Sequence, residues 1–112
     1  MTTRLRKHAG LLNLLNKADP KLKKVLLKHH CTNDFIRCVA DCCLNIIKGN
    51  VPLTPKQLKL LSSKKQVVRT LAAKKISLKK KKRIVQSGGF LGAILPAIIS
   101  GLGGLFGGLF NG

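Results

Sequence analysis

Apolar positions along this chain recur at helical spacing, and nothing alternates with a period of two for long enough to read as a strand. Leu11, Leu12, Leu14 and Leu15 place most of their side chains on one face of a first helix that ends at Asp19-Pro20. Pro20 opens a second short helix, with Leu22, Val25 and Leu26 apolar and Lys21, Lys24 and Lys28 opposite. Thr32-Asn33-Asp34 is rich in N-cap residues, and the segment after it carries the clearest helical stripe, Phe35, Val39, Cys42 and Ile46 at i, i+4, i+7 and i+11. Gly49-Asn50 is a suitable stop, so this is the predicted core helix.

Beyond it, Val51-Pro52-Leu53 reads as an extended link and Thr54-Pro55 as an N-cap followed by a proline at N1. Leu58, Leu61, Val68, Leu71 and Ala72 predict one or two helices, with Ser62-Ser63 as the place for a break. Ser77 caps a last helix, LKKKKRIVQS, with Leu78 and Val85 on one side and lysines around the rest. There is no internal repeat. The expected fold is all-α: a small irregular helical array with a basic C-terminal helix and an appended apolar tail.

Charge changes this picture from a fold to a division of labour. The chain of 112 residues holds 22 Lys and Arg against three acids, for a net charge of +19. After Asp41 no acid appears, while twelve Lys or Arg fall between Lys56 and Arg83. Such a chain repels itself unless a polyanion supplies countercharge, which points to nucleic acid or an anionic membrane face. Lys64, Lys65, Arg69, Lys74, Lys75, Lys79, Lys80, Lys81, Lys82 and Arg83 are the candidate nucleic-acid contacts. Lysine outnumbers arginine, which favours point-charge contact with phosphates over bidentate reading of bases. No aromatic residue is interleaved with these lysines, so stacking on single-stranded bases is not indicated. A solvated charged face or a nuclear localisation run is the plainer reading of the same residues.

The last 23 residues, Phe90 to Gly112, carry no charge and include seven glycines and Pro96. A helix of ~20 apolar residues matches a bilayer core, but only Phe90 to Ile99 has the apolar density of a helix. Phe90, Leu91, Ile94, Leu95, Ile98, Ile99, Leu105 and Phe106 are the candidate membrane or capsid contacts, as a tail anchor, a membrane-disturbing peptide or a segment buried in an oligomer or capsid interior. Exposed on a soluble monomer the segment would aggregate.

Cys31, Cys38, Cys42 and Cys43, with His29 and His30 beside the first, include zinc-ligand types, yet no C-x-x-C pair exists. Cys42 continues the apolar stripe, so reduced core cysteines and no metal are expected. The start of the chain shows no secretory signal, consistent with thiols kept reduced in a cytosolic or nuclear setting. His8, His29 and His30 lie among basic residues and are expected on the surface. Asp19, Asp34 and Asp41 are the only carboxylates, two of them read as a turn residue and a helix cap. No enzyme and no cofactor is expected from this set.

The run ISLKKKKRIVQSGGFLGAILPAIISGLGG resembles the C-terminal part of the adenovirus core protein X family, precursors of a small DNA-condensing peptide. The stretch from about Cys43 to Pro96, including NVPLTPKQ, is similar to the related proteins of Polinton (Maverick) elements and adintoviruses. The shared feature is the order: a strongly basic segment, Gly-Gly, then an apolar stretch. The resemblance covers roughly half the chain. It implies a protein that packs double-stranded DNA in a virion interior, passes through the host nucleus, contacts capsid proteins and is cut by a viral cysteine protease. Gln86-Ser87-Gly88-Gly89 before Phe90 matches that protease's preference, with Gln where an aliphatic residue is more usual, so Gly88, Gly89 and Phe90 form the candidate cleavage site. The family's basic peptide is Arg-rich and little structured, whereas this one is Lys-rich with helical periodicity.

The expected organisation is therefore a helical Cys-containing region (1–55), a basic helical nucleic-acid-binding region (56–89) and an uncharged tail (90–112). The expected function is sequence-independent binding and condensation of double-stranded DNA. The alternatives are a membrane-active or tail-anchored protein whose lysines meet anionic lipid, and a host-interacting helical module with a localisation run.

Overall fold

Four of the six described helices start where a capping side chain places them. In the computed structural model, which describes residues 2–49, 53–87 and 95 with side chains from Arg6 onward, six α-helices and no strand occur among the described residues. They are α1 (Thr2–Lys17), α2 (Pro20–His30), α3 (Asn33–Ile47), α4 (Pro55–Ser63), α5 (Lys65–Ala72) and α6 (Leu78–Gln86). Asp19 Oδ1 accepts from the Leu22 amide at 2.8 Å and Thr32 Oγ1 from the Phe35 amide at 3.1 Å. Thr54 and Gln57 form a reciprocal capping box, with the Thr54 hydroxyl on the Gln57 amide and the Gln57 side chain on the Thr54 amide. Gly49 follows α3 at φ +76°, a left-handed conformation that glycine adopts without a Cβ penalty.

α3 is the hub. It packs against α1, α5 and α6, while α2 leans on α6, and α4 and α6 each touch α5. The stripe seen in the sequence is wider in the fold: Phe35, Ile36, Cys38, Val39, Cys42 and Cys43 are all buried, and Ile46 closes it only half-buried. Leu12 and Leu15 of α1, Leu27 of α2, Leu61 of α4, Val68 and Leu71 of α5 and Val85 of α6 complete the core. The break between α4 and α5 falls at Lys64, directly after Ser62-Ser63. The radius of gyration, 12.9 Å, is that of a packed domain of about 100 residues.

Three expectations are corrected. α2 was expected to bury Leu22, Val25 and Leu26, yet Leu22 and Val25 are exposed and Leu27 is the buried residue, with Leu26 packed beside it. α2 packs against α6, and Gln86 Nε2 donates to the Leu27 carbonyl at 3.3 Å. On α1, as expected of most of the four leucines, Leu12 and Leu15 carry the buried face with Leu11 packed beside them, and Leu14 is exposed. His8 is not a solvated surface histidine: its ring stands edge-on to Phe35 at 5.6 Å and donates from Nε2 to Asp34 Oδ2 at 2.8 Å. Asp34 is then not the cap of α3, a role filled by Thr32, but an acid in its first turn held by His8 and Lys7.

Leu95 links the tail to this core. It is helical, 1 % exposed and a member of the same hydrophobic cluster as Phe35 and Leu71. As a candidate membrane or capsid contact it is corrected: its side chain is enclosed by the chain's own helices. The other candidate tail contacts, Phe90, Leu91, Ile94, Ile98, Ile99, Leu105 and Phe106, lie outside the described residues, as do Gly88 and Gly89 of the candidate cleavage site.

Candidate nucleic-acid interface

Cations reach the surface here through three successive elements: α5, the turn after it, and α6. On α5, Val68 and Leu71 face the core, which turns Lys65 and Arg69, one helical turn apart, outward. Lys74 and Lys75 are exposed on the turn, where Ile76 is half-buried and its amide bonds the Ala73 carbonyl at 3.3 Å. Ser77 then starts α6 by accepting from the Lys80 amide at 3.2 Å, and Lys79, Lys80 and Arg83 are exposed around it. No acid sits in the first turn of α6 to neutralise them.

Of the ten candidate contacts, eight are exposed: Lys64, Lys65, Arg69, Lys74, Lys75, Lys79, Lys80 and Arg83. Lys82 is half-buried near Cys31. Lys81 is corrected, being only 5 % exposed. It precedes Val85 by one helical turn and so shares the face that packs on α3. Burial pushes its ammonium below the usual lysine range, while nearby Cys43 and Asp41 act in the opposite direction. Its stem lines a pocket of about 300 Å³ with Arg37, Asp41, Leu44, Lys74 and Leu78.

The fold also adds cations that the sequence reading left out of the site. Because α2 packs against α6, exposed Lys21, Lys24 and Lys28 stand on a helix adjoining the basic one. Their periodicity was visible in the sequence, but the neighbour that gives it meaning lies about 60 residues away, as the Gln86–Leu27 hydrogen bond spans 59 positions.

The three acids offer little competition. Asp19 is committed to the α2 cap, and Asp34 to His8 and to Lys7, whose Nζ lies at 3.3 Å. The hydrogen bonds from His8 and Lys7 hold the Asp34 carboxyl below the usual carboxylate range. Asp41 lines the Lys81 pocket.

The cysteines are chemically quiet. All four are free and buried. Burial pushes Cys31 up to about 11 and Cys43 up to about 12, with Lys82 and Lys81 respectively acting against it. Cys42 is raised by its hydrogen bond with Cys38 and by burial. Thiols held protonated in this way are poor nucleophiles and poor metal ligands. Among the described residues no group of three or more His, Cys, Asp or Glu could hold a metal ion, and no helix is long and apolar enough to cross a membrane.

Compared with known proteins, the chain matches no family model, no curated protein and no solved structure.

Proposed function

We propose that this chain is a non-enzymatic, sequence-independent binder of double-stranded DNA that neutralises and compacts a genome inside a virion, entering the host nucleus during infection or expression. The observation that carries the reading is the one-sided charge of the α5–turn–α6 region: eight exposed cations between Lys64 and Arg83 and no acid anywhere beyond Asp41. Duplex DNA presents one phosphate charge per ~1.7 Å of axis, so a rigid helical surface of this kind gains by releasing condensed counterions. The lysine-rich composition and the lack of interleaved aromatics support phosphate contact without base reading. The virion setting rests on the resemblance to core protein X.

On this reading the basic region holds DNA, and capsid proteins and a viral cysteine protease are its further partners, the latter acting at Gly89. Cutting there would sever the backbone but leave Leu95 packed in the core as a link between tail and body. The two regions are thus joined by packing as well as by chain.

The test is the salt dependence of duplex binding, read by fluorescence anisotropy on two duplexes of unrelated sequence. If each exposed cation of the site neutralises one phosphate, log K falls against log salt with a slope of about −7, equally for both duplexes. Affinity unchanged by salt, or a strong preference for one duplex, rules the reading out.

A further inference from the structure

Away from the α6 lysines, the surface carries a second feature of different chemistry. The C-terminal end of α3 and the α4–α5 pair enclose a groove of about 290 Å³. Its floor is aliphatic, made by Ile46, Leu53, Leu61 and Val68. Two further members of its lining, Ile47 and Leu58, are 49 % and 57 % exposed, the latter the most exposed large apolar side chain among the described residues. Lys65 and Arg69 lie along the groove, one helical turn apart on α5. No acid lines it.

We propose that this groove is a docking site for an acidic amphipathic helix of a partner protein. Duplex DNA is a poor occupant, because phosphates gain nothing from an aliphatic floor and an exposed Leu58. A second copy of this chain is disfavoured by the repulsion between two bodies of +19 each. An amphipathic helix satisfies both parts of the lining. Its apolar residues at i, i+4 and i+7 fill the floor and cover Ile47 and Leu58, and acidic residues one turn apart on its flank meet Lys65 and Arg69. The charge pattern steers the encounter and fixes the register, while the floor supplies contact area. Lys65 and Arg69, counted among the exposed cations of the DNA site, thereby serve a protein partner as well.

The experiment uses the full chain and two synthetic helical peptides of identical composition. One has leucines at i, i+4 and i+7 flanked by glutamates; in the other the order is scrambled so that no apolar face exists. Anisotropy at about 0.15 M salt, without nucleic acid, should show the patterned peptide binding at least ~10-fold tighter. Leu58→Gln and Ile47→Gln, neutral changes at exposed positions, should each remove most of that preference and leave circular dichroism and DNA affinity unaltered. Lys59→Gln, a charge loss on α4 outside the groove, should keep the preference. Equal binding of the two peptides means generic charge attraction and overturns the proposal. So does loss of binding to phosphatidylserine vesicles in Leu58→Gln with no peptide preference in the parent, which assigns the groove to lipid. The peptide result stands whatever the DNA titration shows, so failure of one reading does not carry the other with it.

Discussion

α3 and α6 start in the same way and hold their places for opposite reasons. Each is opened by a hydroxyl side chain that accepts an amide three residues on, Thr32 for α3 and Ser77 for α6. α3 then buries six side chains, none of them charged. α6 buries two, and one of them is Lys81. Along α6, Lys79 meets Lys82 and Arg83 at i+3 and i+4, and Lys80 meets Arg83, each a like-charge pair that costs ~0.2–0.5 kcal/mol. A nine-residue helix of this composition is not stable alone. It exists because α3 supplies a wall for Val85, Leu78 and Ile84. The lesson is that the charged element borrows its order from the apolar one, so the array of cations is preorganised only while the core is intact.

The largest break in that comparison comes at the wall itself. Phe35→Ala, at a site with no exposure, should cost about 3–5 kcal/mol and, in a domain this small, remove cooperative unfolding in urea altogether. Val85→Ala should cost less and act first on α6, seen as faster amide exchange there than in α3. The caps come next. Thr32→Ala and Ser77→Ala should each lose about 1 kcal/mol, and chemical denaturation with a two-state fit checks both.

Within α6, adjacent lysines should separate cleanly. Lys80→Gln should reduce the salt slope of duplex binding by about 0.9, whereas Lys81→Gln should leave the slope unchanged, because a side chain 5 % exposed does not displace counterions. Lys81→Met should be neutral or stabilising, since an aliphatic group of similar length fits the same wall without desolvating a charge.

The smallest effects concern pH. Asp34 has a folded pKa depressed by His8 and Lys7, so its contribution is present above its unfolded value near 3.8 and is lost as pH falls through the lower folded value. Asp34→Asn should flatten the acid limb of a stability profile below that point. At the other end, Cys31 and Cys43 are raised from 9.0 to about 11 and about 12. Their contribution is complete below pH 9.0 and is lost as pH rises towards those values, and Cys43→Ala should soften that alkaline limb. At neutral pH a thiol reagent should label none of the four until the chain unfolds.

What could be read ahead of the structure was whatever is local. Thr54-Pro55 and Ser77 fix helix starts through atoms three residues away, so the sequence contains the whole interaction. The α3 stripe was legible because a helix buried on one face repeats its apolar residues at the helical period. Which face of α2 is buried was not legible, because it depends on tertiary neighbours such as α6, whose Gln86 bonds Leu27 from 59 residues further along. Lys81 is an intermediate case. A run of four lysines looks uniform by composition, yet only Lys81 and Lys82 lie about a turn before Val85, at i+4 and i+3, and they are the buried and the half-buried ones. Leu95 gave no such mark: it is one apolar residue among many in an uncharged tail, and nothing in its neighbours announces its burial.

That enclosed leucine constrains how the tail can vary. A segment whose only task is to be greasy can exchange its residues freely so long as mean hydropathy is kept. A segment that delivers a leucine to the core, as this one does with Leu95, must keep an apolar side chain of that volume there, because close packing penalises both a smaller and a larger one. Leu95 therefore belongs to the fold as much as Val85 does.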